Sequence, residues 1–486
     1  MSDTNAQSTS PKKNLLPSTE TGVADAFCRE YAGKIIYVPT FGWFFWNGRY
    51  WKLDDQTRIR YVIRKFCGNL NKQRYRSGGK FLIDLQRNYF FASVEQLAHS
   101  DPRMVVPQDK LDANLWLLTA ADNTGAVTIN LQTGEENSPD PKDYITKHTR
   151  VMPAKDEHCP WWEAHLKYVC TNETGKVDQD KIDFLQRMSG YFLTGSTKEE
   201  AMFFLFGDGQ NGKTKFIEAL LDVLGKDYAV TLPLNTMMAA NKRSHQIPAD
   251  IATLHGARLA LGSEVPSNAT WDEEKIKHLT GGDSITARKL YQQYFSFKPT
   301  HKLLIAGNAK PLLRVVDQAI KRRFYLVPFE RKIENPNKNF GEMLYRERAG
   351  ILRWMISGAL AWQQRGLDPP ESIRQQTDQY FADQDIVQQW IDQCCIVAPD
   401  VRDSSSMLYE SWRTWCMENG ETPEQHRLFS QMLERKKFRK VTIRGHRVFH
   451  GIKARLEDVK LDPETEEMFG APMPQRKPAR AEKSVQ

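Results

Sequence analysis

The segment FGDGQNGKTKF (206–216) decides the fold of this chain of 486 residues. It satisfies the pattern G-x-x-x-x-G-K-[ST] from Gly207 to Thr214, and it follows the apolar run AMFFLF. After it, TKFIEALLDVLG (214–225) has apolar residues at helical spacing and is closed by Gly225. A strand, a glycine-rich loop and a helix in this order are typical of a phosphate-binding P-loop.

Each part of this loop has an expected role. Its backbone N–H groups would converge on phosphate oxygens, and the helix that begins there adds a positive partial charge. Lys213 is expected to reach the β- and γ-phosphates, and Thr214 is expected to hold Mg²⁺. We therefore predict a site for ATP or a similar nucleotide with Mg²⁺. The predicted nucleotide-binding residues are Gly207, Asp208, Gly209, Gln210, Asn211, Gly212, Lys213 and Thr214.

Around the loop, apolar runs alternate with helical segments, as a parallel α/β domain requires. Strands are predicted at 201–207, 257–264, 301–308 and 323–329. A helix is predicted at 272–282, and further helices are predicted up to about residue 366.

Two predicted strands end in residues suited to hydrolysis. Glu264 ends the second strand and would position Mg²⁺ or activate water; the alternative is a surface carboxylate. No Asp precedes it in that strand, so one acid would do both tasks, helped by Asp208 or Asp283. Asn308 ends the third strand and would either hold the attacking water or cap a turn.

Arg322 and Arg323 follow soon after. Either arginine would serve as an arginine finger that acts in trans on the nucleotide of a neighbouring subunit. The alternative is a solvated surface pair.

Composition indicates a globular protein of several domains, with 40% hydrophobic and 26% charged residues. No apolar run is long enough to span a bilayer, and the polar start lacks the apolar segment of a secretory signal. The seven Cys residues lack paired metal-ligand spacing, which argues against a zinc site and favours a reducing cytosol, in a bacterial or an infected host cell. A net charge of +8 is weak evidence for a polyanionic partner.

The chain divides by composition into six segments. They are a disordered tail (1–22), an N-terminal α/β region (23–155), a helical lead-in (156–200), the P-loop core (201–366), a C-terminal helical region with a basic hairpin (367–455), and a second tail (456–486).

Two flanking features are candidates for contacts with nucleic acid. In KIIYVPTFGWFFWNGRYWKL (34–53), Asn47-Gly48 is a two-residue hairpin signal, and its aromatic residues either form a core or stack on bases. The segment RKVTIRGHRVFHGI (439–452) is predicted to form a hairpin, and predicted helices precede it. Helices followed by a basic hairpin predict a winged helix. Lys440, Arg444 and Arg447 are its candidate DNA contacts; the alternative is a solvated charged hairpin or a subunit contact.

Five segments in order resemble superfamily 3 helicases of the phage, plasmid and poxvirus primase-helicase branch. They are GDGQNGKT, RLALGSE, KHLTGGDSITARKLY, FSFKPTHKLLIAGN and KRRFYLVPF. The resemblance implies an α/β fold: an AAA+-like P-loop core with a parallel sheet, a small N-terminal α/β region and a C-terminal winged helix. It implies a ring, usually a hexamer, that uses ATP to move 3′ to 5′ on DNA during replication initiation.

The resemblance implies that Lys213 and Thr214 are the Walker A residues and that Glu264 is the Walker B acid. It also implies that Asn308 is sensor 1 and that the arginine finger is Arg322 or Arg323. A pore hairpin maps to about 286–300, with Arg288, Lys289 and Lys298 as candidate phosphate contacts. The chain departs from the family at Lys321 and Ala309, where a Trp and a His are frequent.

Residues 23–155 lack the clustered acids of a polymerising primase. Asp54-Asp55 are most simply loop residues, so we expect no primer synthesis and a primase that is separate or recruited from the host. Two rivals stay open: a full primase-helicase, and a DNA-binding ATPase that remodels or recruits without unwinding.

Overall fold

The computed structural model describes residues 16–172, 174–239, 249–263, 269–288, 294–313, 316–443 and 445–455. These residues form two compact units; the first extends to Asp378 and the second begins at Gln379. In this described part of the chain, no helix has both the length and the apolarity needed to cross a membrane.

The helices in chain order are α1 (Glu20–Tyr31), α2 (Arg58–Arg76), α3 (Asn88–Ala98), α4 (Pro160–Val169), α5 (Gln179–Leu193), α6 (Lys213–Tyr228), α7 (Glu273–Thr280), α8 (Gln318–Lys321), α9 (Phe340–Arg365), α10 (Glu371–Gln384), α11 (Ile386–Cys394), α12 (Ser405–Glu418) and α13 (His426–Arg435).

The strands are β1 (Ile35–Val38), β2 (Gly42–Trp46), β3 (Trp51–Leu53), β4 (Leu117–Ala121), β5 (Ala126–Asn130), β6 (Glu136–Asn137), β7 (Met202–Phe206), β8 (Ala229–Thr231), β9 (Leu259–Ser263), β10 (Ile285–Arg288), β11 (Tyr294–Phe297), β12 (Lys302–Gly307), β13 (Phe324–Pro328), β14 (Cys395–Ser404), β15 (Arg439–Ile443) and β16 (His446–Ala454).

The centre of the first unit is a parallel sheet with strand order β13-β7-β12-β9-β8. Every residue of β7 is buried, as expected of a strand covered on both faces. Helix α6 packs Phe216, Leu220 and Val223 into the core cluster of this sheet. The predicted α/β class with a parallel P-loop sheet is confirmed.

The end of α6 differs from its predicted limit at Gly225. Gly225 leaves the helical conformation, with φ 68° and ψ 175°, but helical structure continues to Tyr228. The Tyr228 side chain is fully buried and its hydroxyl donates to the carbonyl oxygen of Lys147 at 3.2 Å. Tertiary contacts beyond the glycine therefore set the position of the final turn.

The N-terminal part of the first unit has two three-stranded antiparallel sheets, β1-β2-β3 and β4-β5-β6, together with helices α1 to α3. Trp43, Phe44, Phe45 and Trp51 are buried in its hydrophobic clusters. The aromatic hairpin is thus core, which was the first of the two alternatives for this segment.

Two details of this region correct the sequence analysis. Helix α1 begins at Glu20, where the Thr19 hydroxyl accepts a hydrogen bond from Gly22 N at 3.2 Å, so residues 20–22 are not part of a disordered tail. The hairpin turns one residue later than predicted: the Asn47 N–H donates to the carbonyl oxygen of Tyr50 at 3.3 Å, so Gly48 and Arg49 form the two-residue loop. The Asn47 side-chain oxygen accepts hydrogen bonds from the backbone N–H groups of Arg49 and Tyr50, each at 2.9 Å, and these bonds stabilise the turn.

The second unit has the element order α11, β14, α12, α13, β15, β16 and a sheet of order β14-β16-β15. This order fits the predicted winged helix, but the sheet has three strands and not two. The additional strand β14 contains Pro399 and an irregular register between Val397 and Arg402, so its sequence lacks a clear strand pattern. The unit begins inside α10 instead of at residue 367.

Candidate functional site

The P-loop site lies where neighbouring parallel strands end at the same level. In the sheet register, Phe206 of β7 pairs with Gly307 of β12 and with Pro328 of β13. The next residues, Gly207 and Asn308, therefore lie side by side although 101 positions separate them in the sequence. These residues lie at the carboxyl ends of the parallel strands, which is where open α/β sheets bind ligands.

Gly207 has no room for a side chain. Its φ is 152°, and a Cβ atom there would overlap the carbonyl oxygen of Phe329 and the amide of Asn211. The buried Asn211 side chain donates to that same carbonyl at 2.6 Å. The loop is thus joined to the residue that follows β13.

Gly212 forms the other end of the loop, with φ 87°. A Cβ atom there would lie 2.7 Å from both His165 Cε1 and Val169 Cγ1 of α4. Helix α6 starts at the next residue, so its first-turn N–H groups face the loop. The loop therefore passes between α4 and the sheet in a conformation that glycine permits.

Lys213 is buried, with 6% of its surface exposed. Its ammonium group donates to the carbonyl oxygen of Gly207 and, at 3.0 Å, to Oδ1 of Asn308. Burial lowers the pKa of the Lys213 ammonium group, and the nearby Asp208 carboxylate opposes this shift. The structure thus brings together the predicted Walker A lysine and the predicted sensor residue around one small volume.

His165 was missed by the sequence analysis. It is 4% exposed on α4, lies parallel to Trp162 with ring centroids 6.0 Å apart, and contacts the position of Gly212. Burial lowers the pKa of the His165 imidazole to about 4. A neutral imidazole ring on α4 therefore packs against the P-loop at Gly212. The sequence contains no local signal that this helix of the lead-in contacts the P-loop.

The predicted metal ligands are only partly described. Thr214 is exposed on the first turn of α6, and Asp208 is exposed in the loop. Glu264 lies outside the described residues. Its predecessor Ser263 ends β9 and pairs with Ala306 of β12. Thr214 supplies a hydroxyl oxygen at the helix N-terminus, a ligand type that suits Mg²⁺.

The two arginines of the finger prediction have different environments. Arg323 is 6% exposed and donates to the side chains of Thr280 and Glu200 and to the carbonyl oxygen of Ala319. Arg322 is 65% exposed in its side chain and forms an ion pair with Glu200 at 2.9 Å. Arg323 is thus a buried structural residue, and the exposed member of the pair is Arg322.

The predicted pore hairpin has the expected form in its described part. Strands β10 and β11 pair antiparallel from Ile285↔Phe297 to Arg288↔Tyr294. Arg288 and Lys298 are exposed, and the Arg288 guanidinium lies 5.1 Å from the ring centroid of Tyr294, itself 59% exposed. Lys289 lies outside the described residues.

In the second unit, the candidate DNA contacts Lys440 and Arg447 lie on strands β15 and β16. Lys440 forms an ion pair with Glu434 at 3.1 Å, whereas Arg447 is exposed. Arg444 lies outside the described residues. Of Lys440 and Arg447, the more accessible cation is therefore Arg447.

Comparison with known proteins identifies two matched regions. Residues 24–170 match a family described as D5 N terminal like, and residues 205–323 match a family of unknown function, DUF5906. The second match covers the P-loop, Asn308 and the arginine pair.

Curated relatives are large viral proteins. "Putative helicase L207/L206" of Acanthamoeba polyphaga mimivirus is 27% identical over 269 residues, which cover 50% of this chain and 28% of the relative. "Putative helicase 022R" of Frog virus 3 is 25% identical, with 50% and 27% covered, and "Primase D5" of Fowlpox virus is 25% identical, with 35% and 22% covered. The matches thus span about a quarter of the length of these relatives.

Among solved structures, the A form apo structure of the NrS-1 C terminal region is similar at 8% identity and a TM-score of 0.46, covering 90% of this chain and 100% of that one.

The fold and its aligned strand ends define a P-loop α/β protein with a winged helix. Over residues 24–170 the chain matches the D5 N terminal like family, and up to half of its length is similar to viral proteins named putative helicase or primase D5.

Proposed function

We propose that this chain is an ATP-dependent DNA helicase of the superfamily 3 type, acting as a ring, usually a hexamer, in replication initiation and moving 3′ to 5′. The observation that carries the proposal is the contact of Lys213 Nζ with Asn308 Oδ1 at 3.0 Å, at the edge where β7 and β12 end. A buried cation beside an amide, at a helix N-terminus, suits a nucleoside triphosphate.

In the proposed reaction, Lys213 binds the β- and γ-phosphates and the amide of Asn308 orients the attacking water. Thr214, with Glu264, would hold Mg²⁺, which neutralises charge on the phosphates when bound. Arg322 is the finger that we propose, because its exposed guanidinium can reach a neighbouring subunit, whereas Arg323 is buried.

The DNA-moving part of the proposal rests on the β10–β11 hairpin. Its exposed Arg288 and Lys298 offer cations to the phosphate backbone, which carries no sequence information and so suits translocation. Arg447 and Lys440 of the wing would add contacts to duplex DNA.

ATP hydrolysis tests the nucleotide site, with Lys213→Ala compared with Lys215→Ala. Lys215 lies on the same helix, and its Nζ contacts Glu218 Oε2 at 2.7 Å, so its loss leaves the phosphate site intact. We expect Lys213→Ala to lower kcat/KM by about 100-fold or more and Lys215→Ala to change it by less than about twofold. Equal hydrolysis by wild type and Lys213→Ala would remove the basis of the proposal.

A further inference from the structure

Helix α2 has an unusual charge pattern. Seven of its 19 residues are Arg or Lys, and none is Asp or Glu. One side of the helix packs Ile59, Ile63, Phe66 and Leu70 into a hydrophobic cluster. That apolar side holds the helix in place, so most of the cations on the other side have no evident part in the fold.

The opposite side of α2 carries a continuous stripe of exposed residues at helical spacing. We call this stripe the basic face of α2; it consists of Tyr61, Arg64, Lys65, Lys72, Tyr75 and Arg76. Its two tyrosines are 50% and 67% exposed. They are about 21 Å apart along the helix axis, from a rise of about 1.5 Å per residue.

The cations of this face are not neutralised by neighbours. Within the described ranges, none of its four cations forms an ion pair; the ion pair of α2 is Arg60–Glu95 at 3.1 Å, outside the stripe. Arg64 and Lys65 instead lie over the Tyr61 ring, with Cζ and Nζ at 5.4 and 5.5 Å from its centroid. Unpaired cations interleaved with exposed rings suit a partner that supplies both negative charge and flat surfaces.

We propose that the basic face of α2 is a binding site for single-stranded DNA. Its four cations contact phosphates, and Tyr61 and Tyr75 stack on bases. An acidic peptide would satisfy the cations but would leave the two rings exposed. Duplex DNA would satisfy the cations, but its bases are already stacked on one another. The site lies within residues 24–170 and does not depend on the proposed ATPase, because binding can be measured without nucleotide.

Charge neutralisation tests the phosphate contacts. A variant with Arg64→Gln, Lys65→Gln, Lys72→Gln and Arg76→Gln is compared with Lys110→Gln, Lys142→Gln, Lys155→Gln and Lys176→Gln, which changes four other exposed cations by the same total charge. Fluorescence anisotropy of labelled oligothymidylate, without nucleotide, is measured over a range of salt. We expect the first variant to bind about tenfold or more weakly, with a salt slope shallower by about 3, and the control to bind like wild type.

Equal loss of affinity in both four-residue variants, or in neither, would overturn the proposal. So would a loss that is confined to a duplex of the same length, because the site would then recognise paired DNA.

Ring substitutions test the stacking. Tyr61→Ala and Tyr75→Ala are each expected to weaken binding about tenfold, whereas Tyr61→Phe and Tyr75→Phe keep the ring and keep the affinity. Photo-crosslinking of a bromodeoxyuridine oligonucleotide to the full chain should label peptides from residues 58–76. Crosslinks found only in other peptides, or equal affinity of the Ala and Phe variants, would show that these rings do not stack on bases.

Discussion

The P-loop and the basic face of α2 use the same kind of side chain in opposite ways. Lys213 is buried and held by two oxygen atoms, and the loop around it is fixed by Asn211 and by the end of β13. The four cations of the basic face of α2 are exposed and lack ion-pair partners among the described residues. A fixed, desolvated cation suits one compact phosphate group, whereas a row of solvated cations suits an extended polyanion.

The difference also determines what a substitution should do. A single substitution in the P-loop should abolish hydrolysis or lower stability. A substitution on the basic face of α2 should lower the affinity for DNA and its salt dependence by a small amount for each cation removed.

The largest effect is expected at Gly207. Gly207→Ala would place a methyl group against the carbonyl oxygen of Phe329, so we expect loss of measurable nucleotide binding and a lower thermal midpoint. The control is Gly48→Ala, because Gly48 also has positive φ, at 88°, and open space around it, and it lies outside the P-loop. That variant should lose about 1 kcal/mol of stability and retain binding. Similar nucleotide titrations for both variants would show that the loop is not tightly enclosed.

Substitution of Arg322 should affect hydrolysis, whereas substitution of Arg323 should affect the stability of the fold. Arg322→Ala is expected to lower hydrolysis about 1000-fold with less than about 1 kcal/mol of destabilisation, because its side chain is exposed. Arg323→Ala should instead cost about 2–4 kcal/mol, because Glu200 and Thr280 lose a buried partner. Urea unfolding and hydrolysis assays distinguish the two outcomes.

A mixing experiment tests whether Arg322 acts in trans. Arg322→Ala subunits keep the P-loop, and Lys213→Ala subunits keep the arginine. Mixed rings should therefore recover part of the hydrolysis that neither variant has alone. Activity no higher than the sum of the separate variants would exclude a finger supplied by a neighbouring subunit.

Acid should weaken the buried site through His165. Burial lowers the pKa of this imidazole to about 4 in the folded chain, below about 6.5 in the unfolded chain. The unfolded state therefore binds the proton first, and this contribution to stability is complete above pH 6.5 and falls as the pH drops towards 4. We expect a loss of about 1.5 kcal/mol between pH 6.5 and 5.

The measurement is the thermal midpoint as a function of pH. His165→Met should flatten the slope, whereas His158→Met, at an exposed position before α4, should keep it. An unchanged slope in His165→Met would mean that another group causes the acid sensitivity.

The smallest effects are expected on the wing. Arg447→Gln should weaken binding to duplex DNA about threefold, because it removes an exposed cation. Lys440→Gln should have less effect, because Lys440 is already paired with Glu434 at 3.1 Å. Anisotropy at low salt measures both, and a larger effect of Lys440 would reverse this order.

Much of the fold could be predicted because its signals are local. The P-loop pattern and the apolar strands are each contained in a few neighbouring residues. The features that could not be predicted depend on contacts between residues that are far apart in the sequence. The strand order of the sheet brings the Asn211 side chain to the carbonyl oxygen of Phe329 and the Arg323 guanidinium to the Glu200 carboxylate. The alternation of aromatic residues in the hairpin does not itself show that Trp43, Phe44 and Phe45 are all buried.

Strand displacement tests the central claim most directly. A labelled strand on forked DNA, and on duplexes with a 3′ or a 5′ single-stranded tail, is offered to wild type, Lys213→Ala and Lys215→Ala with ATP and Mg²⁺. We predict displacement of the forked and 3′-tailed substrates by wild type and Lys215→Ala, and none by Lys213→Ala. If wild type hydrolyses ATP but separates no strands, the helicase proposal is contradicted, and an ATPase that recruits or remodels without unwinding takes its place.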